Sequence, residues 1–229
     1  MISHQAGGDM ELLEAIQTRH SVRAFKSTPV PDDVIHQILK AASNSPSYMN
    51  TQPWEVAVVT GAKREELSRQ LYELASSGVE PHPDIPLPKG WPPGLAQRAE
   101  SHNMKRLQLL GIRPDDEPKK RELLLANFKF YGAPCVLFLF MDKTLGSWSI
   151  LDMGIFTQSI LLAAHAVGLG ACPQATLTWY PDTVRKFLGI PESKLLVLGI
   201  SIGYPDREAK INTYRSEKIN PSNFVRWCA

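Results

Sequence analysis

Residues 133–141 read APCVLFLFM, and the seven positions from Cys135 to Met141 carry no polar side chain other than the thiol. A strand with one wet face places a polar residue at every second position. This unbroken run therefore predicts a central strand covered on both faces. Moving outward, LLVLGISIGY at 195–204 reads as a second strong strand, WEVAVVT at 54–60 as a further buried strand, and 171–175 as a short one. Helical spacing fills the intervals. Leu12, Leu13 and Ile16 share a face over 10–18, with Asp9 placed to cap it. Val34, Ile35, Ile38, Leu39 and Ala42 repeat at three and four after Pro31, which suits a first helical position. Further helices are predicted around Leu67 and Leu71, over about 121–130, and on the surface from Pro181 and Asp182. The longest, 149–167, is apolar almost all round and closes at Gly168, which predicts burial in a core or in a subunit interface.

At 229 residues and 43% hydrophobic content, the chain can bury a sizeable core, and one elaborated domain over 1–229 is expected. A net charge of +2 without a Lys/Arg block argues against nucleic acid as a partner, so any phosphate must be held locally. The three cysteines (Cys135, Cys172, Cys228) share no short spacing, and the six histidines offer no metal-binding pair. No metal is expected, and a reducing cytoplasm fits. No apolar run of signal length opens the chain and none reaches the roughly 18 residues of a membrane span, so no membrane partner is expected. Residues from about 76 to 118, including PHPDIPLPKGWPPG, are dense in proline, resist both helix and strand, and read as an insertion. Within it, Trp91 is either a plug on an apolar patch or a lid. The tail from about 205 to 229 is polar, yet it carries Phe224, Val225 and Trp227, which need a surface to pack on, in this subunit or another.

Two motifs mislead. Gly199-Ile200-Ser201-Ile202-Gly203 spells a nucleophile elbow, but an elbow needs a helix after the strand and a later histidine. Here Tyr204-Pro205-Asp206 turns into a loop, and the last histidine, His165, lies upstream. Gly168-Leu169-Gly170 follows a helix and precedes a strand, the reverse of a dinucleotide fingerprint, and reads as a helix C-cap.

Four segments in order carry the functional signal: RHSVRAF at 19–25, NSPSYMNTQPW at 44–54, GLGACPQA at 168–175 and NTYRSEK at 212–218, with FVRW closing the chain. Together they resemble the FMN-dependent nitroreductase family, over about residues 11–227. The resemblance implies an α+β fold, with a mainly antiparallel central sheet flanked by helices, in an intertwined homodimer that holds FMN at its interface. FMN brings a dianionic phosphate at one end and, at the other, a ring edge that becomes negative on reduction, so cations are needed at both ends. By resemblance, Arg19 and Ser21, with His20 in the same loop, serve the phosphate and ribityl. Arg23 lies at the pyrimidine edge, and Arg215 and Lys218 close on the phosphate, with lysine where the family usually has arginine. Pro46, Ser47, Tyr48 and Asn50 would come from the other subunit, with Tyr48 also bordering the substrate. Asn127 would read the pyrimidine edge. Asp152 would face the neighbouring cofactor, or else cap a helix or serve the interface. The backbone at Pro173, Gln174, Ala175 and Thr176 would approach flavin N5. Phe128 would face the substrate or pack on the central strand.

The implied activity is ping-pong transfer of hydride from NAD(P)H through flavin N5 to a nitroaromatic or quinone-like acceptor, with no side chain acting as nucleophile. The alternatives are a reductive dehalogenase or flavin-fragmenting enzyme on the same scaffold, a non-catalytic flavin-binding protein, and an interaction protein. The insertion carries Glu100, Lys105 and Arg106 without the charged-lid pattern of the dehalogenases.

Overall fold

The computed structural model describes residues 10–228. In chain order these form helices α1 (Leu12–Thr18) and α2 (Asp32–Ala42), strand β1 (Glu55–Thr60), helices α3 (Gly61–Ser76), α4 (Pro93–Leu110) and α5 (Glu117–Leu125), strand β2 (Cys135–Asp142), helix α6 (Ser147–Ala166), strand β3 (Gly170–Gln174), helix α7 (Pro181–Leu188) and strand β4 (Lys194–Gly203). The sheet order is β1-β2-β4-β3, and all three pairings are antiparallel.

The central position of β2 follows from its sequence. Every residue from Cys135 to Met141 is buried, and the two faces go to different layers. Leu137 and Leu139 meet Ile35 and Ile38 of α2 and Phe156 and Ile160 of α6. Val136, Phe138 and Phe140 meet Leu67 and Leu71 of α3 and Val184 of α7. The sheet with helices on both sides is therefore the expected α+β arrangement.

The structure corrects several local expectations. β1 is an edge strand, so only Val59 is buried and Val58 is exposed, although the β-branched run suggested full burial. The insertion is not irregular throughout. Its dense proline run ends at Pro93, which occupies the first helical position of the eighteen-residue α4, and Gly111 closes that helix in the left-handed region at φ 68°. Pro31 is the cap of α2 rather than its first residue. The helix expected over 121–130 ends at Leu125, and Phe130 and Tyr131 have positive φ. α7 hides Pro181, Val184 and Arg185, so it is amphipathic rather than simply exposed. Asp9 lies outside the described residues, and α1 has no side-chain cap from Glu11.

The proline-rich segment before α4 is tied down by buried polar contacts. Arg185 pairs with Asp84 and donates to the Lys194 carbonyl at 3.0 Å, while Asp84 also accepts from the Leu196 N–H at 2.8 Å. The buried Tyr180 donates its hydroxyl to the Val79 carbonyl at 2.9 Å, and Trp179 lies against Phe128. Trp91 is exposed and plugs nothing.

Packing accounts for the glycines of the false elbow. A Cβ on Gly199 would lie 2.5 Å from Leu177, and one on Gly203 2.5 Å from Pro134, so both let neighbours approach the strand. Ser201 is fully buried and donates to the Gln174 side chain.

α6 packs one side on α2 and the sheet. Among the described residues it is the one helix long and apolar enough to cross a membrane by length and composition. Its outer side exposes Trp148 and Leu151, with exposed Tyr48 stacked on Trp148, while α1, whose Leu12 and Leu13 are also exposed, meets the other end of α6 through Thr18 and His165. Beyond Tyr214 the tail is largely exposed, with Trp227 92% accessible.

Candidate functional site

Residues 19–25 run extended beside β3. The Val22 N–H donates to the Ala171 carbonyl at 3.1 Å, Ser21 forms a parallel bridge with Ala171, and Phe25 an antiparallel one with Pro205. Close approach at this point requires Gly170, whose added Cβ would lie 2.6 Å from a Val22 methyl. Val22 turns into the core, and the flanking charged residues border two cavities.

The first cavity, about 610 Å³, is lined by Arg19, His20, His165, Arg207 and Arg215 and, among the described residues, by no carboxylate. The Arg19 Nε is buried without a hydrogen-bond partner. Burial lowers the pKa of both His20 and His165, and the Arg19 and Arg215 guanidiniums lower both further. His165 is held by the Thr18 hydroxyl at 2.8 Å. Such a cavity favours an anion, because it concentrates positive charge and N–H groups that no protein acceptor satisfies.

The second cavity, about 400 Å³, is bordered by Arg23, Arg106, Asn127, Tyr131 and residues 172–176, and by no carboxylate among the described residues. Three of these side chains are hydrogen-bonded to one another. Gln174 accepts from Ser201 and donates to the Asn127 side-chain oxygen at 3.2 Å, and Tyr131 donates to the same oxygen at 2.7 Å. Burial pushes the Tyr131 phenol up to about 12, so it stays a neutral donor.

Asn212 joins the two ends of the chain. Its side-chain oxygen accepts from the Arg23 N–H at 2.7 Å, and its amide donates to the carbonyls of Ala24 and Asp206 at 2.7 and 2.8 Å. This clamp sets Arg215 beside Arg19. Asn212 opens the fourth quoted segment, but sequence reasoning gave it no role; its burial amid a polar tail is visible only in the structure.

The sequence-predicted residues thus fall into three groups. Arg19, His20 and Arg215 share the first cavity. Arg23, Asn127, Pro173, Gln174, Ala175 and Thr176 share the second, and Ser21 lies on the segment between them. Pro46, Ser47, Tyr48 and Asn50 line neither. Their loop lies over α6, where the buried Asp152 accepts from the Tyr48 N–H and Tyr48 stacks on Trp148 at 5.9 Å. Lys218 also stands apart, beside His102 and Tyr214, with its ammonium on the Ser216 hydroxyl at 3.0 Å. Phe128 is fully buried between Trp179 and Tyr180, which is the packing alternative rather than the substrate-facing one.

Two cavities that no described carboxylate lines, joined by one basic segment, fit a ligand that is anionic at one end and carbonyl-edged at the other, the chemistry of a flavin mononucleotide. A profile of the Nitroreductase family matches residues 16–204, and the chain belongs to that family. It is 37% identical over 213 residues to nitroreductase NfnB of Mycolicibacterium smegmatis, covering 93% of this chain and 90% of the relative. It is 32% identical over 212 residues to a 4-nitrobenzoate reductase of Pseudomonas putida, covering 93% of each. Among solved structures it resembles the FMN-dependent nitroreductase NfnB from Mycobacterium smegmatis in complex with NADPH, with a TM-score of 0.90, 35% identity and coverage of 95% and 97%.

Proposed function

We propose that this protein is an FMN-dependent oxidoreductase that uses NAD(P)H to reduce nitroaromatic compounds, and quinone-like ones, by a ping-pong route. The observation that carries the reading is the pair of cavities linked by residues 19–23 and lined, among the described residues, by cations and no carboxylate. Arg19, His20, Ser21 and Arg215 would hold the phosphate and ribityl end, and Arg23 and Asn127 the pyrimidine edge, with the backbone of Pro173–Thr176 beside N5. The chemistry that bound FMN supplies is reversible two-electron hydride transfer.

The chain's own groups bind, orient and tune. Among the described residues Arg23 has no acidic partner, so its charge would favour the negative, reduced form of the cofactor at that edge. One pocket serving donor and acceptor in turn needs no separate nucleotide fold. Each nitro group takes two electrons and two protons to give a nitroso compound and water, and a second round gives the hydroxylamine. Asn127, Tyr131 and Gln174 keep the wall behind the 173–176 backbone rigid, because each donates to or accepts from another.

Assembly completes the site. The loop bearing Pro46, Ser47, Tyr48 and Asn50 lines neither of its own chain's cavities and lies over α6 beside exposed Trp148. A second copy docking there would bring this loop to the partner's cofactor, and the tail with Phe224 and Trp227 would pack on the partner. In this reading the chain is one domain with an insertion at 76–118 and an extension at 205–229, working in the cytoplasm.

The test is steady-state oxidation of NADH and NADPH with 4-nitrobenzoate and nitrobenzene as acceptors. Parallel double-reciprocal lines and a nitroso or hydroxylamino product are expected. Oxidation that does not depend on the nitro compound would refute the assignment.

A further inference from the structure

The insertion helix α4 is fastened to the tail. His102 meets the Tyr214 hydroxyl at 2.9 Å, and Lys105 is paired with Glu217. Arg106, the next residue, lines the second cavity instead, together with Arg23 and residues 173–176. It has no acidic partner among the described residues, and its Nε is buried without a hydrogen-bond acceptor. Lys120 borders the same cavity but is already engaged, by Glu117 at 2.5 Å and the Pro114 carbonyl at 3.2 Å.

Holding two guanidiniums around one small cavity, one with a buried and unsatisfied N–H, costs free energy that packing of α4 does not require. An oxyanion entering the cavity recovers it, and the planar guanidinium suits a carboxylate, to which it can donate two parallel bonds. Arg23 is assigned to the cofactor edge in the reading above, on which this inference rests. Arg106 is therefore left for the ligand that enters afterwards. The volume, about 400 Å³ to be shared with the edge of the cofactor, favours a one-ring acid over the diphosphate of a dinucleotide.

We propose that Arg106 is a specificity-determining residue that pairs with the carboxylate of the acceptor, so that nitroaromatic acids are selected over neutral nitroarenes. The acceptor's nitro group then lies toward the 173–176 backbone.

The test uses the flavin-loaded protein and Arg106→Gln. Calorimetric titration with benzoate and with benzamide reads binding without turnover. The variant should weaken benzoate by about ten- to a hundredfold, the range of one lost charge-assisted contact, and benzamide far less. The ratio of kcat/KM for 4-nitrobenzoate to that for 4-nitrobenzamide should fall by a similar factor, and Arg106→Lys should restore part of it. Equal losses for the acid and the amide would overturn the proposal in favour of a packing role. A loss confined to flavin reduction by NADPH would move Arg106 to the donor's phosphate, and a drop in FMN content would move it to the cofactor; either overturns it. If the wild-type protein reduces neither acceptor, the nitroreductase reading fails, while the benzoate titration still decides whether the carboxylate subsite exists.

Discussion

The Tyr48 N–H donates to both oxygens of the Asp152 carboxylate, at 3.1 and 3.2 Å, joining a surface loop to the middle of α6. That loop is strained: Met49, Asn50 and Gln52 have φ of 52°, 57° and 47°. Non-glycine residues held there cost roughly 1–3 kcal/mol each, and the conformation persists only where the surroundings fix it. Asp152→Ala would leave the Tyr48 N–H unpaired and release the anchor. We expect a loss of about 1–3 kcal/mol in stability and faster amide exchange at residues 48–52. Unaltered exchange there would mean that the strain is held by something else.

Gly199 and Leu177 form a close packing pair, with a Cβ at position 199 falling 2.5 Å from the Leu177 side chain. Gly199→Ala should therefore destabilise the fold by about 1–3 kcal/mol through overpacking, while Ser201→Ala, which removes no nucleophile in this account, should leave no trace of a lost hydrolase activity. Denaturant melts give the first quantity and ester hydrolysis assays the second.

His20 and His165 predict acid sensitivity. Their pKa values in the folded chain lie below the ordinary 6.5, because burial and then nearby arginines disfavour the charged ring. As pH falls through 6.5 the unfolded chain takes up protons before the folded one, so the stability present above that pH is lost progressively below it. An anion in the first cavity favours the protonated rings. The thermal midpoint of the flavin-free protein should fall from pH 7 to pH 5, and that of the FMN-loaded protein should fall less. The double variant His20→Gln/His165→Gln should flatten the flavin-free profile. His102, also depressed by burial and by Arg106, Arg23 and Lys218, remains to give a residual slope.

Arg23 borders the second cavity and has no acidic partner among the described residues. Arg23→Ala removes a charge-assisted contact worth roughly 1.5–3 kcal/mol, so FMN retention on dilution and the rate of flavin reduction should both drop. Occupancy and rate equal to wild type would take Arg23 out of the site.

The architecture was legible where apolar pattern alone decides it. The run at 135–141 could only be a doubly covered strand, and the closing of α6 at Gly168 holds, with φ at 80°. The edge position of β1 was not legible, because β-branched residues suit an edge strand as well as a buried one. α4 was hidden because proline density was judged over the whole insertion, whereas residues 94–110 contain no proline. At the site, the basic segments were readable as cations in search of an anion. Arg106 and Asn212 were not assigned, since their roles depend on which cavity a helix turns toward and on which carbonyls the tail passes.

The most direct test of the account is the visible absorption spectrum of the purified protein, followed anaerobically through addition of NADPH and then of 4-nitrobenzoate. The protein should be yellow, bleach with the donor, recover its colour with the acceptor, and release FMN on heating. A protein that is colourless and stays so after incubation with excess FMN would contradict it.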